Sequence, residues 1–454
     1  MSFATEADAI TYIFSSMRKL RGHDRSPDEH RRDTAPTRRL VAELGLLASP
    51  REYAVVTGSK GKGSTTIITA KLLQHLGHRV GTITSPHLIT WRERIRVDGR
   101  AIPEADFLRI LGEMSPAIDA VEAGLDDSRY FSPQGIFLAM ALRWFDEQGV
   151  QAAVLEVGRG GRYDDIAIVP NQLSLITPIM LEHVEQLGPT LERIAWHKAG
   201  VIKPYSYVYS APQPPEVLDV LQAEADALEA VFNWIAPADL GEYLGLAPDG
   251  QGIRMRLGRY GEVTLPLLGR YQMVNAALAV IGAGNMHGRL SGIPHGSPEY
   301  VERIRAGLAD VRWPGRCYRL QTAPAVYVDG AINAESAQSL VDSLRELLTE
   351  PVIAIIGVPA DKDYLGVYAA LGPVSRTMIL TETARNPSLR FPDASAALVA
   401  ARAHNPQTDY VPTLAQAVDQ ALAQAGTDGT VIITGTQSIV ADAMALWSQS
   451  FEVI

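Results

Sequence analysis

The chain has 454 residues, of which 46% are hydrophobic and 20% charged, a globular composition that argues against wholesale disorder and suits two or three domains. Its formal net charge of −10 argues against a general nucleic-acid coat, because phosphate binding needs a basic face. No apolar run approaches the ~18 residues that span a bilayer, the first residues lack a signal-peptide pattern, and the single cysteine permits no intramolecular disulfide and no cysteine-based zinc cluster. We therefore expect a soluble, cytoplasmic protein without nucleic-acid or membrane partners.

The first part of the chain alternates strands and helices. Residues 52–58 have the pattern of a short buried strand, residues 58–64 form a glycine-rich turn, and residues 65–77 have the pattern of a helix. A second strand at residues 78–87 completes a βαβ unit, which predicts a parallel sheet. Downstream, the pattern predicts helices at 132–149, 190–200 and 271–284, strands at 151–158 and 173–179, and a hairpin at 250–269.

A second α/β series follows a plausible linker at residues 291–297 and the sequence WPGR at 313–316. Strands are predicted at 324–330, 351–358, 377–383 and 430–436, and helices at 335–348, 414–426 and 438–447. We therefore place a boundary near residues 290–315 and divide the chain into domains 1–312 and 313–454.

Basic residues cluster between positions 18 and 39. They are Arg18, Lys19, Arg21, Arg25, Arg31, Arg32, Arg38 and Arg39. Such a cluster is either a solvated helix and loop or a patch that attracts an anionic substrate.

The turn GSKGKGST at residues 58–65 lies between a strand and a helix, where a phosphate-binding loop belongs. Glycines let successive backbone N–H groups face phosphate oxygens, and the helix N-terminus adds its positive dipole end. Lys62 can reach the outer phosphates, and Ser64 or Thr65 can offer a hydroxyl to Mg²⁺. The strict pattern GxxxxGK[ST] is not met, because residue 56 is valine and Gly63 follows the lysine. Lys60 adds a second cation that either touches phosphate or is solvated.

This loop resembles that of the folylpolyglutamate synthase/dihydrofolate synthase branch of the Mur ligase family, which typically reads GTNGKGST. The resemblance extends in family order over most of the chain. Its further segments are TSPHL with ERI at 84–95, LEVG with GGR and an aspartate at 155–164, His183 with LG and KAG to 200, Gln272 with Asn275, PGR at 314–316, DGA with an asparagine at 329–333, and DKD at 361–363. The resemblance implies an α/β fold in which a P-loop parallel-sheet ATPase domain precedes a smaller Rossmann-like ligase domain.

The resemblance also implies the roles of individual residues in an enzyme that uses ATP and Mg²⁺, with two ions expected. The ATP-binding residues it implies are Gly58, Ser59, Lys60, Gly61, Lys62, Gly63, Ser64, Thr65, Gln272, Asn275, Arg316 and Asp329. Metal ligands are expected at Ser64, Ser85, Glu156 and His183, since hard oxygen ligands and an imidazole suit this ion. Catalytic roles fall to Lys62, His183, Lys198 and Arg316, with Lys198 a candidate for carbamylation. Substrate contacts are expected from Pro86, His87 and Arg162. Arg31 and Arg32, in an arginine-rich stretch that replaces the family's N-terminal segment, are also expected to contact the substrate, because guanidinium groups favour bidentate contacts with carboxylates.

Several positions depart from the family pattern. Gly135 stands where the family has a carboxylate, Ala167 replaces an asparagine, and residues 177–183 read TPIMLEH rather than TNIGLDH. Ile332 and Ala334 replace a histidine and a proline of the DGAHNP motif. The phosphate loop and metal-side residues match while flanking positions differ, which suggests retained chemistry and an altered substrate.

The leading hypothesis is a ligase that adds an amino acid, most simply L-glutamate, to a folate-type acid through an acyl phosphate. The alternatives are the same ligation on another acid, a nucleotide-binding protein without ligase activity, and a P-loop kinase or simple ATPase. The second domain argues against a kinase, which has no need of the PGR, DGA and DKD segments. We expect a monomer or weak dimer.

Overall fold

The computed structural model describes residues 2–19, 26–126, 129–290, 292–386 and 388–454. Its strands are β1 Glu52–Thr57, β2 Val80–Ile83, β3 Ile95–Val97, β4 Arg100–Ala101, β5 Ala152–Glu156, β6 Leu173–Ile176, β7 Tyr207–Ser210, β8 Val231–Trp234, β9 Glu242–Leu246, β10 Ile253–Arg256, β11 Glu262–Leu265, β12 Tyr318–Thr322, β13 Ala325–Asp329, β14 Val352–Gly357, β15 Thr377–Glu382, β16 Thr408–Thr413 and β17 Thr430–Gly435.

The helices run between and around these strands. They are α1 Glu6–Ile13, α2 Ser15–Lys19, α3 Asp28–Arg31, α4 Ala35–Glu43, α5 Lys62–His75, α6 Glu104–Ala123, α7 Pro133–Glu147, α8 Val184–Leu187, α9 Leu191–Ala199, α10 Pro215–Ala227, α11 Gln272–Arg289, α12 Pro298–Ala309, α13 Ala334–Leu344, α14 Tyr364–Leu371, α15 Ala394–Arg402, α16 Leu414–Ala425 and α17 Gln437–Leu446. No helix in the described ranges has the length and apolar character needed to cross a membrane.

The first sheet has the strand order β4-β3-β2-β5-β1-β6-β7-β8. From β2 to β8 in that order the strands are parallel, while β3 and β4 are antiparallel additions at one edge. β5 is buried along its whole length, as expected where helices cover both faces of a parallel sheet. One apolar core includes residues of α4, α6 and α7, and the opposite core includes residues of α5, α11 and α12.

Parallel strands bring their carboxyl ends to one edge, and in this sheet that edge holds the ends of β1, β2, β5 and β6. The phosphate loop follows β1, Ser85 follows β2, Glu156 ends β5, and Pro178 follows β6. Residues far apart in the chain therefore meet at one place, which is where ligands bind in open α/β sheets.

The second part of the chain forms a six-stranded sheet, which we call the third sheet, in the order β12-β13-β17-β14-β15-β16. Its strands are parallel except for the edge strand β12. A smaller antiparallel sheet, β11-β10-β9, packs beside α12. The predicted α/β architecture with parallel sheets is confirmed, and the predicted hairpin at 250–269 corresponds to β10 and β11. The chain passes from the first sheet's layers to the third sheet after α12, which packs on α5. The division at residue 312 stays a prediction.

The last residues of the chain return from the third sheet to the edge of the first. Glu452 O accepts a hydrogen bond from Ala101 N at 2.8 Å, Ile454 N donates to Gly99 O at 3.0 Å, and Val453 pairs with Arg100. The Glu452 carboxylate also forms two contacts with Arg92, at 3.1 and 2.6 Å. Residues 451–454, which we call the tail, therefore form a second connection between the first and third sheets. The first connection is the chain segment that follows α12.

Candidate active site between the two sheets

A cavity of about 710 Å³ lies between the carboxyl edge of the first sheet and the third sheet. Residues from both parts of the chain line it, among them Lys62, Glu156 and His183 from the first part, and Arg316 and Asp329 from the second. The cavity thus brings the phosphate loop and a buried carboxylate of the first part of the chain together with an arginine and an aspartate of the second part.

The phosphate loop depends on two glycines for its shape. Gly58 has a φ of +139°, and a Cβ there would lie 1.9 Å from Thr177 Oγ1. Gly61 has a φ of +89°, and a Cβ there would lie 2.3 Å from Asn275 Oδ1. Only glycine fits both conformations and both close approaches.

The loop residues from Ser59 to Ser64 line the cavity, while Gly58 and Thr65 lie behind it. Lys62 Nζ donates to the carbonyl oxygens of Gly58 at 3.0 Å and Ser59 at 3.4 Å. The lysine charge is thus held against the loop, close to where a phosphate would sit. Thr65 Oγ1 instead contacts Asn275 Oδ1 at 3.4 Å, which ties the loop to α11.

The four expected metal ligands, Ser64, Ser85, Glu156 and His183, all line this cavity. Glu156 is only 4% exposed, and its Oε2 accepts a hydrogen bond from Ser85 N at 2.8 Å. Burial raises the pKa of Glu156 to about 7, although the positive charges of Lys62, Arg316 and Arg94 act in the opposite direction. Burial also lowers the pKa of His183, which favours the neutral imidazole that a metal requires.

These donors fit a hard divalent cation, because a buried carboxylate that is costly to ionise alone would be stabilised by one. Within the described ranges, no three His, Cys, Asp or Glu side chains converge into a complete metal site. An ion at this place would therefore need serine hydroxyls and oxygens of its ligand as well. Metal binding stays a prediction.

Lys198 lies behind the loop and not in the cavity lining. Its Nζ is buried and donates to Gly58 O at 2.7 Å and to Glu182 Oε1 at 2.9 Å. Burial lowers its pKa to about 8, and Glu182 partly offsets that effect. Glu182, one of the departures from the family pattern, therefore acts as the counter-ion of Lys198.

Two groups of predicted nucleotide contacts flank the loop. Asn275 lines the cavity and donates to Gln272 Oε1 at 2.8 Å, whereas Gln272 is buried outside the lining and its Nε2 has no hydrogen-bond partner among the described residues. Across the cleft, Asp329 accepts a hydrogen bond from Cys317 N at 2.7 Å, and burial raises its pKa against the opposing charge of Arg316. On the side of the first sheet, Gln272 thus holds the Asn275 side chain by a hydrogen bond without lining the cavity itself.

The structure does not bring the expected substrate arginines to the cavity. Arg32 Nη1 binds Asp164 Oδ2 at 3.1 Å, because Asp164 is a buried anion that needs a counter-charge. Arg162 lies over the Trp196 ring and pairs with Glu224, and Arg31 is also outside the lining. These three arginines therefore do not line the cavity, and a substrate role for them stays a prediction. Arg21 and Arg25 of the basic cluster lie outside the described residues.

Pro86 and His87 do line the cavity, and with them lies Arg94, to which the sequence assigned no role. Arg94 Nε donates to His87 Nδ1 at 3.2 Å. The ERI segment of the sequence was the signal that could have identified it. The sequence also assigned no role to Trp313. Its ring packs against the phosphate loop, and a Cβ built on Gly63 would lie 3.0 Å from it.

The departure at Gly135 also has a local cause. A Cβ at this position in α7 would lie 2.0 Å from Thr37 Oγ1 of α4. Thr37 Oγ1 in turn donates to Asp165 Oδ1 at 2.6 Å, so the glycine lets two helices meet around a buried carboxyl group. Glycine is required by packing here.

Comparison with known proteins shows which family models and which relatives the chain matches. The Mur ligase middle domain matches residues 56–283, and the Mur ligase, glutamate ligase domain matches residues 315–437. The chain is 32% identical to the dihydrofolate synthase/folylpolyglutamate synthase of Bacillus subtilis, over 79% of this chain and 82% of the relative. It is 33% identical to the protein of that name from Mycobacterium tuberculosis, over 80% and 77%.

Solved structures are similar over nearly the whole length. The chain superimposes on Mycobacterium tuberculosis folylpolyglutamate synthase complexed with ADP at a TM-score of 0.83 and 28% identity, covering 98% of this chain and 99% of the other. A second structure of that enzyme, complexed with ADP and AMPPCP, gives a TM-score of 0.80 at 28% identity, covering 97% and 99%.

Proposed function

Because this chain belongs to the Mur ligase family, we propose that it is an ATP-dependent ligase that joins L-glutamate to a folate-type carboxylate. The relatives that carry the proposal are named dihydrofolate synthase/folylpolyglutamate synthase. The observation that supports it best is the cavity itself, which brings Lys62 and Glu156 of the first part together with Arg316 and Asp329 of the second.

The reaction has two steps. A carboxylate oxygen of the acceptor attacks the γ-phosphorus of ATP, the bond from that phosphorus to the β–γ bridging oxygen breaks, and ADP leaves. The amine of glutamate then attacks the acyl carbon, loses a proton to water or a protein base, and inorganic phosphate leaves with the electrons of the C–O bond. Both steps need negative charge stabilised around one phosphoryl group.

The residues of this chain are suited to that task. Lys62 can exchange the loop carbonyl oxygens that it now binds for oxygens of the β- and γ-phosphates, and Arg316 reaches the same cavity from the second part of the chain. Fixed cations and backbone N–H groups in a partly enclosed site stabilise developing charge. Mg²⁺, when bound, would neutralise phosphate charge, and Ser64, Ser85, Glu156 and His183 are the residues that would hold one or two such ions.

Lys198 has a separate part in the proposal. Its pKa of about 8 leaves a fraction of the buried amine neutral at physiological pH, and only a neutral amine can add CO₂ to form a carbamate. Carbamylation would replace the ammonium that now pairs with Glu182 by an anion facing it, so Glu182 or the lysine would have to move. Intact-protein mass spectrometry under bicarbonate tests for the adduct.

The proposal is tested by ATP consumption with a panel of acceptors: dihydropteroate, reduced folates and unrelated acids, each with and without L-glutamate. We expect ADP release that requires both an acid and the amino acid. Release with a non-folate acid would favour the same ligation on another acceptor, and ADP release without either substrate would indicate a simple ATPase.

A further inference from the structure

Arg94 occupies an unusual place on the wall of the cavity. It ends the short turn Trp91–Arg94 that leads from β2 into β3, and its guanidinium lies over the rings of Trp91 and Phe137, 4.6 and 5.2 Å from their centroids. Two aromatic faces and the bond to His87 hold the side chain in one orientation. Its position is therefore fixed before any ligand arrives.

Among the described residues, the charge of Arg94 has no counter-ion in direct contact, although the charge of Glu156 acts on it from farther away. No carboxylate of the described residues lies within 4.0 Å of it, and its two terminal nitrogens donate no hydrogen bond to any described residue. Burial lowers its pKa to about 10, so the group remains charged at neutral pH. A partly buried guanidinium whose two terminal nitrogens are free to donate suits a carboxylate, because each carboxylate oxygen can accept from one of them.

His87 fixes the direction of that fork. The His87 ring also packs against the Trp91 ring, with 4.1 Å between the ring centroids. Its Nδ1 accepts from Arg94 Nε, which requires the ring proton to be on Nε2. With Nε occupied by His87, the terminal nitrogens of Arg94 are left for a ligand in the cavity.

The sheet order separates this group from the nucleotide-binding parts. β2, which leads to Arg94, lies on one side of β5 and its Glu156, while β1 with the phosphate loop lies on the other. α11, which carries Asn275, packs against α5, β1, β6 and β7. A carboxylate held by Arg94 would thus approach the phosphate loop from the side opposite α11, next to Glu156.

We propose that Arg94 binds the reacting carboxylate of the acceptor acid and that His87 is the residue that positions it. This inference rests on the proposed ligase function. The terminal nitrogens of Arg94 hold the carboxylate so that one oxygen faces the γ-phosphate. Because the same contact exists before and after phosphoryl transfer begins, its loss affects the binding of the acceptor more than the rate of the bound complex.

The experiment compares the full-length protein with Arg94→Gln, Arg94→Lys and His87→Ala. Arg109→Gln is the charge-matched control, because Arg109 lies on the surface of α6 among Asp106, Glu113 and Glu147. For each protein, KM for the acceptor, KM for ATP and kcat are measured with the best acid of the panel, together with Kd for a fluorescent ATP analogue and Tm.

For Arg94→Gln we expect KM for the acceptor to rise about 10- to 100-fold, the effect of a lost charge-assisted contact. KM for ATP, Kd for the analogue and Tm should stay near those of the Arg109→Gln control, and kcat should change less than about threefold. Arg94→Lys should recover part of the acceptor affinity, and His87→Ala should give a smaller rise of the same kind.

Wild-type protein that consumes no ATP with any acid and amine would overturn both the proposed function and this inference. If the wild type is active and Arg94→Gln leaves KM for the acceptor unchanged, this inference alone is overturned. It is also overturned if Arg94→Gln raises KM for the acceptor and KM for ATP equally and lowers Tm. If Arg94→Gln does not fold, Arg94→Lys decides. A rise of about threefold or more in acceptor KM alone supports the inference, and no rise contradicts it.

Discussion

Among single residues, the proposed chemistry would depend most directly on Lys62, whose Nζ is 3.0 Å from Gly58 O and which lines the cavity. Lys62→Ala should lower kcat/KM by at least ~10²-fold, the scale of a lost group that stabilises transition-state charge. Lys19→Ala is the control, because Lys19 pairs with Glu122 on the surface. Steady-state kinetics of the two folded variants test this, and near-wild-type turnover in Lys62→Ala would refute the assignment.

Also at the residue scale, the glycines of the loop can be compared with one that has space around it. Gly61 has a positive φ and a neighbour that a Cβ would hit, whereas Gly288, near the end of α11, has nothing within 4 Å of a built Cβ. Gly61→Ala should lower the free energy of unfolding by about 1–3 kcal/mol and kcat/KM by about 10²-fold. Gly288→Ala should raise the free energy of unfolding by up to about 1 kcal/mol.

Denaturant unfolding and kinetics of both variants give the comparison. Equal stability of Gly61→Ala and Gly288→Ala would mean that the loop does not need its left-handed conformation.

At the element scale, a histidine pair links the end of α5 to α11. His78 Nε2 lies 2.7 Å from His287 Nδ1, and His287 Nε2 lies 2.7 Å from Ile293 O. The carbonyl needs a donor, so the His287 proton is on Nε2 and His78 donates to Nδ1. Burial lowers the pKa of His78 below its ordinary 6.5, and the electrostatic interaction with His287 acts in the same direction.

The unfolded chain therefore takes up a proton at His78 at a higher pH than the folded chain does. Stability from this pair is present above about pH 6.5 and is lost as the pH falls below that value. We predict that Tm falls less steeply between pH 7.5 and 5.5 in His78→Gln than in wild type, while the exposed-site control His404→Gln keeps the wild-type slope. Identical slopes in all three proteins would contradict the assignment.

The elements also show what a sequence can and cannot predict. The phosphate loop could be located because a glycine-rich turn follows a buried apolar run, whereas Ser85 and Glu156 were assigned from the resemblance to the family. Parallel strands then bring these positions to one edge of the sheet. The pairing of Arg32 with Asp164 could not be predicted, because the two residues are 132 positions apart in the chain and only the packed structure shows that Asp164 is buried. Likewise, the strands β3, β4 and β12 are too short or too mixed in character to give a clear pattern, and they were missed.

At the scale of the whole molecule, the site is complete only when the second part of the chain meets the first. Arg316 and Asp329 line the cavity from the third sheet, and residues 451–454 pair with the edge of the first sheet beside it. Phe451 and Ile454 also line the cavity. The tail therefore limits how far the two sheets can separate, and motion between them would act directly on the site.

We predict that Arg316→Gln affects turnover more than nucleotide binding, because eight of the twelve residues expected to bind ATP belong to the phosphate loop. We expect kcat to fall by at least ~10²-fold, the scale of an arginine placed on a transferring phosphoryl group, and Kd for an ATP analogue to rise less than about threefold. Arg345→Gln, at an exposed pair with Asp342, is the control. An unchanged kcat in Arg316→Gln would mean that the second part of the chain does not act on the phosphoryl group.

Ligation, the reaction proposed for this protein, can be followed through its products. The purified protein is incubated with ATP, Mg²⁺, L-glutamate and dihydropteroate or a reduced folate, and products are followed by mass spectrometry while ADP and phosphate are quantified. We expect an acid–glutamate amide formed in equal amounts with ADP and phosphate, and none when the acid or the glutamate is omitted. ADP released at the same rate without them, and no amide with any acid tested, would contradict it.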